Sequence, residues 1–151
     1  MTIVGSHHTA YQVADLGRSL AFYRDLLGFE TVWERVNDTD YVRQIVGQPE
    51  ATLHQAMLRF PGSDHMLELI DYRGVDRTPV DTNPVNPGTA HICLLVKDLS
   101  AYYDHLVENG VRSVSKPVAV TSGPNAGRLA VYMIDPDGFR LELLGVEVEV
   151  S

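Results

Sequence analysis

Two histidines and two glutamates occupy equivalent places in the two halves of the sequence. His8 and His91 each begin a segment with a Val five residues later, an Asp seven later and a Leu eight later. Glu68 and Glu142 each lie in the middle of a short apolar segment, MLELI and RLELL. Burying a carboxylate without a partner is costly, so a cation beside each glutamate would explain its position. Imidazole nitrogen and carboxylate oxygen suit zinc, nickel, cobalt, manganese or iron(II). If the halves pack with pseudo-two-fold symmetry, the four side chains predict one divalent metal site.

The other histidines and the single cysteine fit this pattern less well. His7 breaks the repeat and points to the opposite face of an extended segment, so it is not expected to be a ligand. His105 is expected to be exposed on a helix, whereas a role near the site stays open for His54 and His65. Cys93 cannot form an intrachain disulfide, and its apolar surroundings, HICLLV, predict a small buried residue rather than a reactive thiol.

The repeat extends to the elements that position these side chains. Apolar residues at helical spacing follow Asp15 and Asp98, which are suitable N-caps, and both stripes end at a glycine, Gly28 or Gly110. A turn signal precedes each glutamate segment, at residues 61–64 and 135–138. Each half therefore predicts the order strand, helix, strand and hairpin strands.

These patterns give the expected domain organisation. The chain of 151 residues is predicted to be a single domain. Module 1 covers about residues 6–72, a linker rich in proline about 73–88, and module 2 about 89–145. The tail from Gly145, with alternating valine and glutamate, is expected to be an exposed strand or a frayed end.

The charge and composition limit the classes of partner. The net charge of −8 argues against nucleic acid, because phosphate binding needs a basic surface. No apolar stretch approaches the roughly 20 residues that span a bilayer. The first residues lack the charged and apolar regions of a signal peptide, so we expect a cytoplasmic protein with a small-molecule substrate and no membrane partner.

The sequence resembles the vicinal oxygen chelate superfamily, which includes glyoxalase I, epimerases, bleomycin-binding proteins and extradiol dioxygenases. The resemblance rests on His-x4-Val-x-Asp-Leu followed by a helix with Phe-Tyr and Leu-Gly-Phe, and on the closing Asp-Pro-Asp-Gly-x-x-x-Glu. It covers about residues 6–145. It implies an α+β fold in which two tandem βαβββ modules form an open eight-stranded cup around a metal ion, commonly in a homodimer.

The resemblance places one divalent ion on His8, Glu68, His91 and Glu142. Four such ligands are similar to those of glyoxalase I, whereas methylmalonyl-CoA epimerase typically has Gln where this chain has Glu68. These enzymes remove a proton next to a carbonyl. The resemblance therefore implies a metal-dependent isomerase or epimerase that removes and returns this proton through a metal-bound enediolate, with Glu68 and Glu142 as catalytic residues. Which of the two carboxylates removes the proton is left open.

The candidate substrates differ in charge. The acidic balance and the scattered cations, Arg35, Arg43, Arg128 and Arg140, favour a small hydroxy ketone such as a cyclitol ketone. The alternatives are a lactoylglutathione lyase or methylmalonyl-CoA epimerase, a non-catalytic binding or resistance protein, and an extradiol-type dioxygenase. The loop 122–128 is a candidate lid, with a plain hairpin connection as its alternative.

Overall fold

The computed structural model describes residues 2–146, and the chain divides into two compact units, Met1–Pro79 and Val80–Ser151. The boundary lies inside the predicted linker 73–88, and each unit holds one predicted module. The assignment of residues 1–151 to a single domain stays a prediction. No helix in the described part of the chain is long and apolar enough to cross a membrane.

The first unit is built on a four-stranded sheet. Its strands are β1 His8–Gln12, β2 Glu30–Asn37, β3 Thr52–Arg59 and β4 Met66–Arg73. Their order is β1-β4-β3-β2, with β1 parallel to β4 and the other pairs antiparallel. The closing strand of the module therefore lies beside its first strand, which brings the two ends of the module together.

The predicted first helix is present and has the expected ends. Helix α1, Leu16–Leu20, continues as a π-helical segment, Ala21–Leu26. The carboxylate of Asp15 accepts a hydrogen bond from the backbone amide of Arg18, and Gly28 takes a positive φ of 77° after the helical segment. Most of the predicted apolar stripe is buried: Leu20, Phe22, Tyr23 and Leu27.

A second helix in this unit was not predicted. Helix α2, Asp40–Val46, lies between β2 and β3 and ends at Gly47 in the left-handed conformation. Only Val42 of this helix is fully buried, against Ala51, Leu53 and Ile70. A helix this short with one buried side chain leaves almost no periodic pattern in the sequence, which is why it escaped prediction.

The second unit repeats the arrangement with one strand broken. Its elements are β5 His91–Lys97, α3 Leu99–Glu108, β6 Arg112–Ser113, β7 Val118–Ala119, β8 Leu129–Ile134 and β9 Arg140–Val146. The order is β5-β9-β8-β6, with β7 also paired to β8. Pro117 lies between β6 and β7, and a proline cannot donate a ladder hydrogen bond.

The α+β class and the two βαβββ modules are confirmed, with one correction to the number of strands. The described residues form nine strands instead of eight, because β6 and β7 together replace one strand. Asp98 caps α3 by accepting from the amide of Ala101, and Gly110 has a φ of 80°, both as predicted. Strand β9 continues through Val146, and the rest of the predicted tail, residues 147–151, lies outside the described residues.

Candidate metal centre

The two glutamates lie on the faces of their strands opposite to the leucines on either side. In β4, Leu67 and Leu69 are completely buried, and in β9, Leu141 and Leu143 are buried to the same degree. The helices α1 and α3 pack against β4 and β9. Since successive side chains of a strand point to opposite faces, the leucines hold each strand in its core and direct the glutamate to the other side.

The strand register places each histidine next to its glutamate in the same way. In the first unit, His8 lies opposite Met66 and Ala10 opposite Glu68. In the second, His91 lies opposite Arg140 and Cys93 opposite Glu142. Each histidine is therefore diagonal to the glutamate across a parallel strand pair and on the same face. The repeat detected in the sequence is preserved at the level of single residues.

In the first unit, His8 and Glu68 form a close pair. Nε2 of His8 lies 3.2 Å from Oε2 of Glu68, and the glutamate is only 8% exposed. Gln55, also buried, donates from its side-chain amide to Oε1 of Glu68 over 2.9 Å. On the other side of the imidazole, Nδ1 of His8 lies 2.7 Å from Nδ1 of His7. Both members of the pair are thus oriented by a second polar side chain.

In the second unit, the equivalent pair is about as close and more exposed. Nε2 of His91 lies 3.1 Å from Oε2 of Glu142, whose side chain is 24% exposed. The hydroxyl of Tyr132 donates to Oε2 of Glu142 over 3.4 Å and lies 3.5 Å from Nε2 of His91. Partial burial, and then the charge of Glu142, raise the pKa of Tyr132, so its hydroxyl remains a proton donor to the carboxylate over a wider pH range.

The geometry of each pair fits two ligands of one ion. Donors about 2.0–2.2 Å from an ion, at angles of about 90–110°, lie roughly 2.8–3.6 Å from each other. The two nitrogen–oxygen distances, 3.2 Å and 3.1 Å, fall in this range. Within either unit, no group of three or more His, Cys, Asp or Glu side chains is suited to hold a metal among the residues described. Each unit on its own therefore brings together two of the four predicted ligands.

The remaining histidines lie away from these pairs. His54 is next to Gln55 in β3 and therefore points to the opposite face from Glu68. His65 is held by the hydroxyl of Thr9, 2.9 Å from its Nε2, and its ring contacts Phe60. His105 is exposed on α3, as predicted.

The prediction that Cys93 is buried was wrong. Cys93 is exposed because the face of β5 that carries His91, Cys93 and Leu95 is open to solvent. Leu95 on the same face is 67% exposed. The apolar segment HICLLV was interpreted as part of the core. Only every second residue of this strand points to the covered face of the sheet. Partial desolvation of the thiol, and then the charge of Glu142, raise the pKa of Cys93, so the thiolate is disfavoured.

A cavity of about 220 Å³ lies beside His91 in the second unit. It is lined by Pro84, Thr89, Ala90, His91, Val114, Tyr132 and Arg140. One of these residues, Pro84, lies in the predicted linker, Thr89 and Ala90 follow directly after it, and none comes from the candidate lid 122–128. Of the four scattered cations, Arg140 alone lines it. Arg35 lies over the ring of Trp33, Arg43 donates to the carbonyl of Ala51, and Arg128 to the side chain of Asn125.

The fold and the sequence together define the class of protein. The sequence matches the Glyoxalase/Bleomycin resistance protein/Dioxygenase superfamily over residues 5–143, and the chain belongs to this superfamily. A solved glyoxalase family protein from Bacillus cereus has the same fold, with a TM-score of 0.81 at 18% identity over 96% of this chain and 95% of the other. The resemblance inferred from the sequence is confirmed.

Two curated relatives carry enzyme names. A 2-epi-5-epi-valiolone epimerase from Actinomyces sp. is 33% identical over 147 residues, which cover 95% of this chain and 80% of the relative. A probable lactoylglutathione lyase from Synechocystis sp. is 28% identical over 137 residues, which cover 91% of this chain and 92% of the relative. The superfamily of this chain thus includes enzymes of the isomerase and lyase type.

Sequence reasoning missed the contacts that Tyr132, Gln55 and His7 make with the pairs, and a signal existed for two of these residues. Tyr132 follows from the hairpin: pairing outward from the turn at Asp135 sets Ile134 opposite Arg140 and Tyr132 opposite Glu142. Gln55 is a polar residue inside the apolar strand TLHQAML, a position where a buried partner is expected. His7 offered no such signal, because its contact with His8 depends on how the chain enters β1.

Proposed function

We propose that this protein is a metal-dependent isomerase or epimerase that removes and returns a proton next to a carbonyl group. The favoured substrate is a small hydroxy ketone such as a cyclitol ketone. The observation that carries this proposal is the pair of equivalent His–Glu contacts, His8 with Glu68 and His91 with Glu142, at 3.2 Å and 3.1 Å. The name of the Actinomyces relative, an epimerase, supports the reaction type.

The four paired residues, His8, Glu68, His91 and Glu142, are the proposed ligands of one divalent ion. Their donor atoms suit zinc, nickel, cobalt, manganese or iron(II). When bound, the ion supplies Lewis acidity that lowers the cost of the negative charge on the substrate oxygens. Gln55 and His7 then act as orienting residues, because a hydrogen bond to the outer atom of a ligand fixes its direction.

The two carboxylates are the proposed catalytic residues. A carboxylate accepts the proton from the carbon beside the carbonyl, the electron pair of the C–H bond moves towards the carbonyl oxygen, and the proton is then returned to carbon. Glu68 is held on both oxygens, by Gln55 and by His8. Glu142 has the more exposed side chain and a longer hydrogen bond, to Tyr132. This difference supports Glu142 as the residue that removes the proton and Glu68 as the more static ligand.

Turnover in heavy water tests the reaction. A base that exchanges its proton with solvent before returning it places deuterium at the reacting carbon, which NMR of the product detects. We expect this with a cyclitol ketone of the kind named for the Actinomyces relative. Conversion without deuterium at any carbon, together with unchanged turnover in Glu68→Gln and Glu142→Gln, would reject proton transfer by these residues.

A glutathione adduct is the second candidate substrate, because the Synechocystis relative is named a lactoylglutathione lyase. The charge of the chain, −8, and the single cation among the residues lining the cavity count against a substrate with several carboxylates. Parallel assays with the ketone and with the glutathione adduct separate the two. Purified protein without metal would support the alternative of a non-catalytic binding or resistance protein. Oxygen consumption with a catechol would support an extradiol-type dioxygenase.

A further inference from the structure

The cavity of the second unit is lined by one charged group, Arg140, that no described residue neutralises. Arg140 is half-buried, and its Nε is inaccessible to solvent with no hydrogen-bond partner. No carboxylate in residues 2–146 pairs with its guanidinium, although the sequence contains 20 acidic residues. Arg73 and Arg77, by contrast, both bond to Asp71. Burying part of a charged group without a partner is unfavourable, and the accessible part of Arg140 lines the cavity, so this arrangement indicates a place for ligand oxygens.

The position of Arg140 connects the cavity to the candidate metal centre. Arg140 lies directly opposite His91 in the parallel pair of β5 and β9, and two residues before Glu142 on the same face. Tyr132 lines the cavity and also contacts His91 and Glu142. A group bound in the cavity is therefore adjacent to the proposed reacting centre.

The lining indicates the chemistry of that group. The volume, about 220 Å³, corresponds to roughly seven water molecules at about 30 Å³ each, enough for a ring-sized substituent. Pro84, Ala90 and Val114 offer apolar contacts along the walls. A guanidinium has only donors, arranged as a planar fork that matches two neighbouring acceptor oxygens. Adjacent hydroxyls of a polyol and the two oxygens of a carboxylate share this geometry.

We propose that Arg140 is a substrate-binding residue that selects substrates carrying two adjacent acceptor oxygens on the part of the molecule beside the reacting carbon. This inference rests on the proposed function for the identity of the ligand as a substrate. The binding itself requires neither the metal ion nor turnover.

The test is equilibrium binding of two ring-sized probes to protein kept metal-free with a chelator. The probe myo-inositol carries adjacent hydroxyls and no carboxylate, and cyclohexanecarboxylate carries one carboxylate and no hydroxyl. Ligand-observed NMR gives the affinity of each for the wild type, Arg140→Lys and Arg140→Met. Arg112→Met is the matched control, since it also removes one positive charge from the second unit but lies outside the cavity lining.

We expect the wild type and Arg112→Met to bind at least one probe equally. Arg140→Met should weaken that binding about tenfold or more, the usual size of a lost hydrogen bond to a charged group. Arg140→Lys keeps the positive charge but not the planar pair of donors, so its affinity for the probe should lie between those of the wild type and Arg140→Met. A loss confined to myo-inositol assigns the site to hydroxyls, and a loss confined to cyclohexanecarboxylate assigns it to a carboxylate.

Two results would overturn the inference: no binding of either probe by the wild type, or equal binding by the wild type and Arg140→Met with both proteins folded by thermal melting. Neither result depends on catalysis. Conversion without deuterium and with unchanged turnover in Glu68→Gln and Glu142→Gln, while probe binding still depends on Arg140, rejects the isomerase and keeps the Arg140 site. Deuterium incorporation with probe binding that does not depend on Arg140 keeps the isomerase and rejects the Arg140 site.

Discussion

The side-chain amide of Gln55 donates to Oε1 of Glu68 over 2.9 Å, and this contact turns the other carboxylate oxygen towards His8. Both residues of the contact are buried, with 4% and 8% exposure. A buried hydrogen bond to a carboxylate fixes its orientation more firmly than an exposed one, because water does not compete for it.

Replacing Gln55 should therefore weaken metal binding without removing a ligand. We expect Gln55→Leu to lower the affinity for a divalent ion by about 10–100-fold, the usual effect of losing an orienting partner. Competition with a coloured chelator measures this affinity. Gln44→Leu, an exposed change on α2, is the control. Equal affinities in Gln55→Leu and wild type would show that Gln55 does not orient the ligand.

Removing a proposed ligand should have a larger effect. Purified wild type is expected to carry about one divalent ion per chain, and alanine at His8, Glu68, His91 or Glu142 should abolish or strongly reduce this content. Elemental analysis after dialysis gives the ratio. His105→Ala, which removes an exposed histidine of α3, should keep the full content. Full occupancy in the four ligand variants contradicts the assignment.

The two glutamine variants should differ in kind. Gln can still offer an oxygen to a metal but cannot accept a proton. We expect Glu142→Gln to retain the ion and to lose roughly 10²–10⁴-fold in turnover, the range of general-base catalysis. Glu68→Gln should mainly weaken metal affinity. Turnover and metal content are measured on the same preparations, and the opposite pattern would exchange the two roles.

The assembly is expected to be a homodimer. Each sheet is open, with edge strands that can pair with another chain, and Leu95 exposes 67% of its surface on the His91 face. Light scattering at micromolar concentration measures the mass, and a monomer would oppose this prediction.

A mixed dimer of His8→Ala and His91→Ala chains then locates the metal site. If each ion is held by one chain, the mixed dimer binds none. If each ion is held by the first unit of one chain and the second unit of the other, one of the two sites in the mixed dimer keeps both histidines. The mixed dimer then binds metal, whereas a dimer of either variant alone does not.

Asp71 should contribute to stability independently of the site. It is 1% exposed, and it accepts hydrogen bonds from Arg73 and Arg77, while Arg77 also donates to the carbonyl of Val13. These contacts tie the start of the linker segment to the first module. Because both arginines are about half exposed, we expect Asp71→Asn to cost only about 1–3 kcal/mol in the free energy of unfolding. Urea denaturation measures the change, and Asp64→Asn, an exposed substitution, should leave it unaltered.

The sequence by itself determined the repeat, the helix ends and the four candidate ligands. Spacing alone aligned His8 with His91 and Glu68 with Glu142, and local chemistry was sufficient for caps such as Asp15 and for the turn before β9. These features depend on a few residues close together in the sequence, so they can be predicted without knowing which elements pack against those residues. The strand alternation that separates Glu142 from its flanking leucines belongs to the same class.

The tertiary structure decided the features that depend on strands distant in sequence. The parallel pairing of β1 with β4 and of β5 with β9 brings each histidine within 3.2 Å of its glutamate, and nothing local specifies that register. The exposure of Cys93 and the unpaired, half-buried state of Arg140 depend on which face of a strand is covered. Burial is a property of the packed sheet rather than of residue type, because the same apolar run can cover a core or line an open face.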